Sequence, residues 1–71
     1  MITKTMLNNW FTYHALDEEQ AQRCALVGDA GLMLATVILE NTPESADQTA
    51  AIRKVREAVM TANLAITCRG R

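Results

Sequence analysis

The one aromatic cluster of this chain lies between Asn8 and His14, and it contains Trp10, Phe11 and Tyr13. The rings of Phe11 and Tyr13, together with His14, offer stacking faces and hydrogen-bond donors for a planar ring, as aromatic side chains do for nucleobases. The same side chains could instead seal the end of a helical core. The residues alone favour the sealing role, and ring stacking is the functional alternative.

Charge is unevenly distributed along the chain, although the net charge is only −1. The segment 17–47 holds seven acidic residues and one basic residue, whereas 53–71 holds five basic residues and one acidic residue. Much of this asymmetry matches helix dipoles, which favour acids at helix starts and bases at helix ends. A balanced total argues against a nucleic-acid polymer as partner. A small anion bound by a few clustered arginines remains open.

The sequence contains no arrangement of residues typical of a catalytic or a metal-binding site. There is no nucleophile with a matching base, no phosphate-binding loop and only one histidine. In a hairpin turning near Pro43, Cys24 and Cys68 are offset by about six residues, or roughly 9 Å, which is too far for a disulfide. Both cysteines are therefore predicted to be reduced, small apolar side chains. We predict a binding protein and not an enzyme, with no cofactor and no metal.

The start of a first long helix is clear in the sequence. Asp17 is a capping residue with Gln20 three positions later, which is the pattern of a capping box. This pattern and the apolar spacing that follows predict a helix over 17–40. Residues 1–16 show no clear periodicity and are expected to form an N-terminal arm.

A single strong helix breaker separates this helix from a second one. Pro43 disfavours helical conformation at the residue before it. Ser45 is then a capping residue with Gln48 as its expected reciprocal partner. The second helix is predicted over 45–68, with Gly70 as its stop.

The first helix carries more apolar surface than one partner helix can cover. Besides one apolar stripe, the opposite side of the helix is also apolar, through Ala21, Cys24, Ala25, Gly28, Gly31, Leu32, Ala35 and Leu39. A helix that is apolar almost all round must be buried almost all round, and 71 residues are near the lower limit for a stable single core. We predict an all-α, antiparallel two-helix hairpin, a single domain over 1–71, assembled into a homo-oligomeric helical bundle.

Four further residues bear on how the helices pack. Gly28 and Gly31 lie mid-helix, where each costs about 1 kcal/mol relative to Ala. Close packing of a neighbouring helix is the favoured explanation, and a ligand laid against bare backbone is the alternative. Met60 and Leu64 lie within the polar side of the second helix, where they are either tolerated exposure or a second contact surface.

The compartment is expected to be the cytoplasm. No uninterrupted apolar run reaches the ~18 residues of a membrane span, because Asp29 and Thr36 interrupt the longest candidate. The start of the sequence also lacks the pattern of a secretory leader. No membrane partner is expected.

The segment from Asn41 to Met60, with Ala62 and Asn63 after it, resembles a family of short phage and prophage helical hairpins. The pair Tyr13-His14 before an acidic helix start adds to the resemblance, which covers about residues 10–68. The family includes the anti-CBASS and anti-Thoeris sponges, which trap the cyclic nucleotides that bacterial immune systems use as alarms. The resemblance implies homo-oligomers, often hexamers, with ligand pockets at subunit junctions.

The resemblance also implies which residues bind the ligand. Tyr13 occupies the place of an aromatic residue that stacks on a base, and His14 follows it where a polar or basic residue is usual. Further ligand contacts are implied for the second-helix segment that lines intersubunit sites in relatives, through Arg53, Lys54, Glu57 and Asn63. Phe11 joins the candidates as a stacking residue.

Two positions depart from the family pattern. Relatives often carry Lys or Arg where this chain has Gly28, and close relatives commonly have Trp where it has Thr61. Despite these departures, the resemblance implies an immune-evasion protein that sequesters a cyclic nucleotide in the host cytoplasm. It does not identify which cyclic nucleotide is bound. The alternative is a small oligomeric interaction module that binds a host or phage protein.

The cysteines give a first testable prediction. Both thiols should react with a thiol reagent after denaturation without prior reduction, and a Cys24→Ala, Cys68→Ala double variant should still assemble. An intact mass two protons lower, with assembly lost on adding reductant, would contradict it.

Overall fold

The computed structural model of the protein describes residues 1–12 and 15–69, which form three α-helices. These are α1 (Lys4–Phe11), α2 (Glu18–Asn41) and α3 (Ala46–Thr67). Helices α2 and α3 pack as an antiparallel hairpin, and their bounds lie within one residue of the expected 17–40 and 45–68. The prediction of an all-α hairpin is confirmed.

Helix α1 occupies part of the segment that was expected to be an irregular arm. Thr3 caps it by accepting a hydrogen bond from Met6 N at 3.1 Å. Asn9 Nδ2 donates to Cys68 O at 3.4 Å, and Cys68 Sγ lies 3.9 Å from Asn9 O, so that α1 rests on the C-terminal end of α3. A helix of eight residues is too short to be stable alone, and this tertiary contact explains why periodicity alone missed it.

The predicted capping box at the start of α2 is confirmed. Asp17 Oδ1 accepts from Gln20 N at 2.7 Å, and Gln20 Oε1 accepts from Asp17 N at 3.2 Å. Gln20 Nε2 also donates to Ile66 O at 3.1 Å near the end of α3. This one glutamine therefore caps its own helix and fixes the open end of the hairpin.

The glutamine at the start of α3 does not complete the reciprocal box that was predicted. Ser45 Oγ accepts from Gln48 N at 3.1 Å, as expected for the cap. The Gln48 side chain instead donates through Nε2 to Thr42 O at 3.0 Å and to Leu39 O at 3.3 Å. The last carbonyls of a helix lack hydrogen-bond donors within that helix. The buried Gln48 amide is the donor for the carbonyls at the end of α2.

Helix α3 ends in a turn that uses an arginine in a left-handed conformation. Cys68 N donates to Leu64 O at 2.8 Å and Arg69 N donates to Ile66 O at 3.3 Å. Arg69 has a φ of 55°, a conformation that Gly usually supplies at helix ends. The predicted stop, Gly70, lies outside the described residues. The two cysteines are free, as predicted, with Cys68 buried and Cys24 half-buried.

Close approach of the two long helices depends on Gly31. A Cβ at this position would overlap Val59 Cγ2, whereas a Cβ at Gly28 would have no atom within 4 Å. The packing explanation is therefore confirmed for Gly31, and Gly28 is left open on the hairpin surface. The half-buried α2 residues that share this stripe are Gln20, Cys24, Val27, Gly28, Gly31, Ala35 and Ile38.

The hairpin is a plate only one helix thick. Its extents are 44 × 30 × 16 Å, whereas an α-helix with side chains is about 10–12 Å across. In the described part of the chain, Cys68 is the only fully buried apolar side chain. Stable domains bury the apolar face of each layer against another layer. Residues 1–12 and 15–69 do not supply a second layer.

Helix α2 is long and apolar enough to cross a membrane, judged by length and composition alone. It passes this test although Asp29 and Thr36 interrupt its apolar run. Helices from the core of soluble proteins pass the same test, so that the helix alone does not identify a span. The absence of a membrane partner stays a prediction.

Two glycine variants test the packing of the hairpin. Gly28→Ala and Gly31→Ala gain the same helix propensity, so the difference between them isolates the overlap with Val59, a side chain that is stiff at χ1. We expect Gly31→Ala to be less stable than Gly28→Ala by about 1–3 kcal/mol. Chemical unfolding followed by circular dichroism at one fixed protein concentration measures this difference. Equal midpoints would contradict the proposed close approach.

Candidate ligand-binding site

A surface concavity lies at the open end of the hairpin, where α2 begins and α3 ends. Its volume is about 520 Å³, within the range of small-molecule sites. Both helices contribute to its lining, through Asp17, Glu19, Gln20, Arg23, Ala65, Ile66 and Arg69. Gln20 holds this end together through its bond to Ile66 O, so the lining residues are positioned by the fold and not by a loop.

Two guanidinium groups and two carboxylates form ion pairs around this concavity. Arg69 Nη2 lies 3.6 Å from Asp17 Oδ2, and Arg23 pairs with Glu19 one turn earlier in α2. All four side chains are more than half exposed. Exposed pairs of this kind contribute ~0–1 kcal/mol. An anionic ligand can therefore replace a carboxylate as the partner of either guanidinium at little cost.

The aromatic candidates lie at the boundary of the described residues. Phe11 is the last residue of α1 and its side chain is 85% exposed. Tyr13 and His14 lie outside the described residues, in the link between α1 and Asp17. Phe11 therefore offers its ring to solvent rather than sealing the hairpin.

The four candidates on α3 do not border one shared concavity among the described residues. Arg53 and Glu57 are exposed one turn apart, while Lys54 lines an apolar groove between the helices. Asn63 borders a shallow concavity with Met60. Its Oδ1 atom is buried with no hydrogen-bond partner in the described part of the chain. The protomer does not bring these four residues together.

Sequence reasoning missed the arginines at the open end. Arg23 and Arg69 are 46 positions apart in the sequence, and only the antiparallel register brings them to one concavity. The capping box at Asp17 was a usable sign, because it marks where α2 begins and therefore which end of α3 it meets. No metal-binding group of three or more His, Cys, Asp or Glu occurs among residues 1–12 and 15–69.

Two apolar grooves run along the middle of the plate, one on each face. The front groove has a volume of about 470 Å³ and is bordered by Ala30, Leu34, Lys54, Ala58 and Ala62. The back groove has a volume of about 230 Å³ and is bordered by Leu32, Ala35, Ile52, Arg56 and Met60. Gly31, Val55 and Val59 line both grooves. The centre of the hairpin is therefore accessible from both sides.

The comparison with protein families identifies a family for this chain. The model of the family described as Acb2/Tad1, hairpin domain, matches residues 5–67. The match spans α2 and α3 completely and almost all of α1. The curated proteins and the solved structures contain no match to the chain.

The capping hydrogen bond of Asp17 can be tested separately from the ion pair of its carboxylate with Arg69. Asp17→Ala removes the acceptor for Gln20 N and should lower stability by about 0.5–2 kcal/mol. Asp17→Asn keeps a good capping side chain while it also removes the ion pair with Arg69, so it should unfold close to the unmutated chain. Thermal unfolding should place the Ala variant lower by several degrees. Equal loss in both variants would show that the ion pair, and not the cap, stabilises this end.

Proposed function

Because the chain belongs to the Acb2/Tad1 hairpin family of phage cyclic-nucleotide sponges, we propose that it sequesters a cyclic nucleotide without cleaving it. The family is that of the anti-CBASS and anti-Thoeris proteins. The observation that carries the proposal is the family match over residues 5–67, which includes the whole hairpin. The proposed place of action is the cytoplasm of an infected or lysogenic bacterium.

The open-end concavity is the proposed phosphate site. Guanidinium groups bind phosphate through paired charge-assisted hydrogen bonds, and Arg23 and Arg69 both line this concavity. Their present partners, Glu19 and Asp17, are exposed and weakly held. The start of α2 lies at the same end, and its dipole favours an anion.

The aromatic residues are the proposed base-binding element. Tyr13 precedes Asp17 by four residues, so the length of the chain keeps it within about 14 Å of the concavity. Phe11 offers an exposed ring just before it, and His14 can add a hydrogen bond. A base stacked on one aromatic ring is worth ~1–3 kcal/mol.

Sequestration without turnover is supported by the lining of the concavity. Its described lining consists of two carboxylates, two guanidiniums, an amide and two alkyl groups, and both carboxylates are held in ion pairs. Hydrolysis or transfer would need an activated nucleophile, and Asp17 already accepts from Gln20 N and pairs with Arg69. The bound ligand should therefore leave chemically intact.

The α3 candidates fit the proposal only in an assembly. Lys54 borders the front groove and Asn63 borders the concavity beside Met60, so one ligand would meet several of the four residues where protomers join. We propose a homo-oligomer, and by the family resemblance a hexamer, with ligand contacts shared between copies.

Calorimetry on a panel of cyclic dinucleotides, cyclic trinucleotides and cyclic ADP-ribose isomers tests the proposal. We expect heat from at least one ligand, and mass spectrometry should recover that ligand unchanged after the protein is denatured by heat. A cleaved product would indicate an enzyme. No heat from any ligand would favour the interaction module that binds a host or phage protein.

A matched pair of arginine variants locates the site. Arg69→Ala should weaken binding about tenfold or more, corresponding to the loss of one charge-assisted contact at ~1.4 kcal/mol per decade, while Arg53→Ala should leave it unchanged if the open end is occupied. The reverse pattern would place the ligand on α3 between protomers.

Tyr13→Ala should weaken binding about tenfold or more at either site, because base stacking is lost. Asp17→Asn should tighten binding, since it frees Arg69 and keeps the cap.

A further inference from the structure

We infer that Asn9 is a positioning residue, because its side chain on α1 holds the backbone turn that directs Arg69 to the open-end concavity. Anion binding at Arg69 is thereby coupled to the docking of α1 on the hairpin. The role of the anion rests on the proposed function, whereas the effect of Asn9 on Arg69 exists without any ligand.

Arg69 lies in a backbone conformation that its own side chain disfavours. Its φ is 55°, and no other non-glycine residue has a positive φ in the part of the chain that the structure describes. A Cβ in this left-handed region crowds the following carbonyl oxygen. Such a conformation persists only where the surroundings hold it. The contacts of this turn therefore decide where the Arg69 side chain lies.

The peptide unit between Cys68 and Arg69 is held on both of its edges. Its carbonyl oxygen, Cys68 O, accepts from Asn9 Nδ2 at 3.4 Å. Its amide, Arg69 N, donates to Ile66 O at 3.3 Å, and Gln20 Nε2 donates to the same oxygen at 3.1 Å. The orientation of this peptide unit sets the φ of Arg69. Asn9 thus stabilises the left-handed turn from α1, while Gln20 stabilises it from α2.

The side chain of Arg69 adds little to its own placement. Its Nη2 atom lies 3.6 Å from Asp17 Oδ2, and both side chains are more than half exposed. Ion pairs of this exposure are weak. The direction of the backbone at Arg69 therefore keeps the guanidinium beside the concavity that both residues line. A turn that relaxed to an ordinary φ would carry the guanidinium away from Asp17.

Helix α1 is the part of this arrangement that can separate from the rest. It has eight residues, none of them fully buried, and a helix this short is marginal alone. Cys68, which is 4% exposed, lies against it, with Sγ 3.9 Å from Asn9 O. Elements with little burial open at a lower free-energy cost than the rest of a fold. By linkage, an anion that binds the docked form more tightly also favours docking.

A pair of asparagine variants on α1 tests the positioning without any ligand. Asn9→Ala and Asn8→Ala make the same change in helix propensity, but Asn8 is exposed, so the difference between them isolates the half-buried side chain of Asn9. A positive φ brings the amide proton of a residue close to its own α proton. We expect the nuclear Overhauser effect between these two protons of Arg69 to weaken in Asn9→Ala and to stay unchanged in Asn8→Ala. An unchanged effect in Asn9→Ala would overturn the inference.

A double-variant cycle shows whether Asn9 acts through Arg69. The probe is inorganic pyrophosphate, and calorimetry measures its affinity. Asn9→Ala should weaken pyrophosphate binding about threefold or more in the unmutated background and have no further effect in Arg69→Ala. A residue that only stabilises the hairpin would weaken binding equally in both backgrounds. Equal losses in the two backgrounds would therefore overturn the inference.

Thiol alkylation of the unmutated protein covers the case in which a variant unfolds. Pyrophosphate at about ten times its dissociation constant should slow the alkylation of Cys68 up to about tenfold, because the thiol reacts when α1 is undocked and the probe favours the docked form. Cys24, the half-buried thiol on α2, reports opening of the hairpin as a whole, and its rate should change less. Equal slowing of both thiols, or an unchanged Cys68 rate with the probe bound, would overturn the inference.

The two proposals fail in different ways. A chain whose Arg69 effect weakens in Asn9→Ala, but which binds neither pyrophosphate nor any cyclic nucleotide, would refute the proposed function alone. A chain that binds a cyclic nucleotide while Arg69 keeps its full effect in Asn9→Ala would refute the inference alone.

Discussion

The close approach of α2 and α3 at Gly31 is the constraint on which the rest of this structure depends. Because Val59 fills the space that a Cβ would take, the helices meet along a stripe of small side chains and the larger ones are displaced to its flanks. The result is a plate with an accessible centre, of a shape that needs other molecules to complete its core. The proposed assembly would therefore have its cause in the same packing that forms the hairpin.

Both ends of the hairpin are held by the same device. The third residue of each long helix is a glutamine whose amide donates to carbonyls near the C-terminal end of the other helix: Gln20 to Ile66 O, and Gln48 to Leu39 O and Thr42 O. Leu39 O and Thr42 O lie where a helix leaves its carbonyls without helical partners, whereas Ile66 O also accepts from Arg69 N. The two ends differ in what surrounds the glutamine. Gln48 is buried beneath the turn, while Gln20 faces a wide, charged concavity, so that only the open end is free to accept a ligand.

The sequence was sufficient for features that depend on neighbouring residues. The caps at Asp17 and Ser45 and the breaker at Pro43 placed both long helices, because capping and proline effects act within a few residues. It was insufficient for features that depend on register. Helix α1 depends on its contact with Cys68. The Gln48 amide donates to carbonyls of α2 instead of completing its own cap, and Arg69 reaches Asp17 only in the folded hairpin. The family resemblance pointed to α3, and a shared role of Arg53 and Asn63 in binding a ligand stays a prediction.

Gly28 has a consequence for how the ligand range of such a protein could change. The space beside its Cα is empty, so the fold tolerates a side chain there without rearranging α3. A basic side chain gained at this place would add a cation to the surface of the hairpin. Under the proposed function, a change at position 28 would alter the ligand preference while it leaves the contact of Gly31 with Val59 intact.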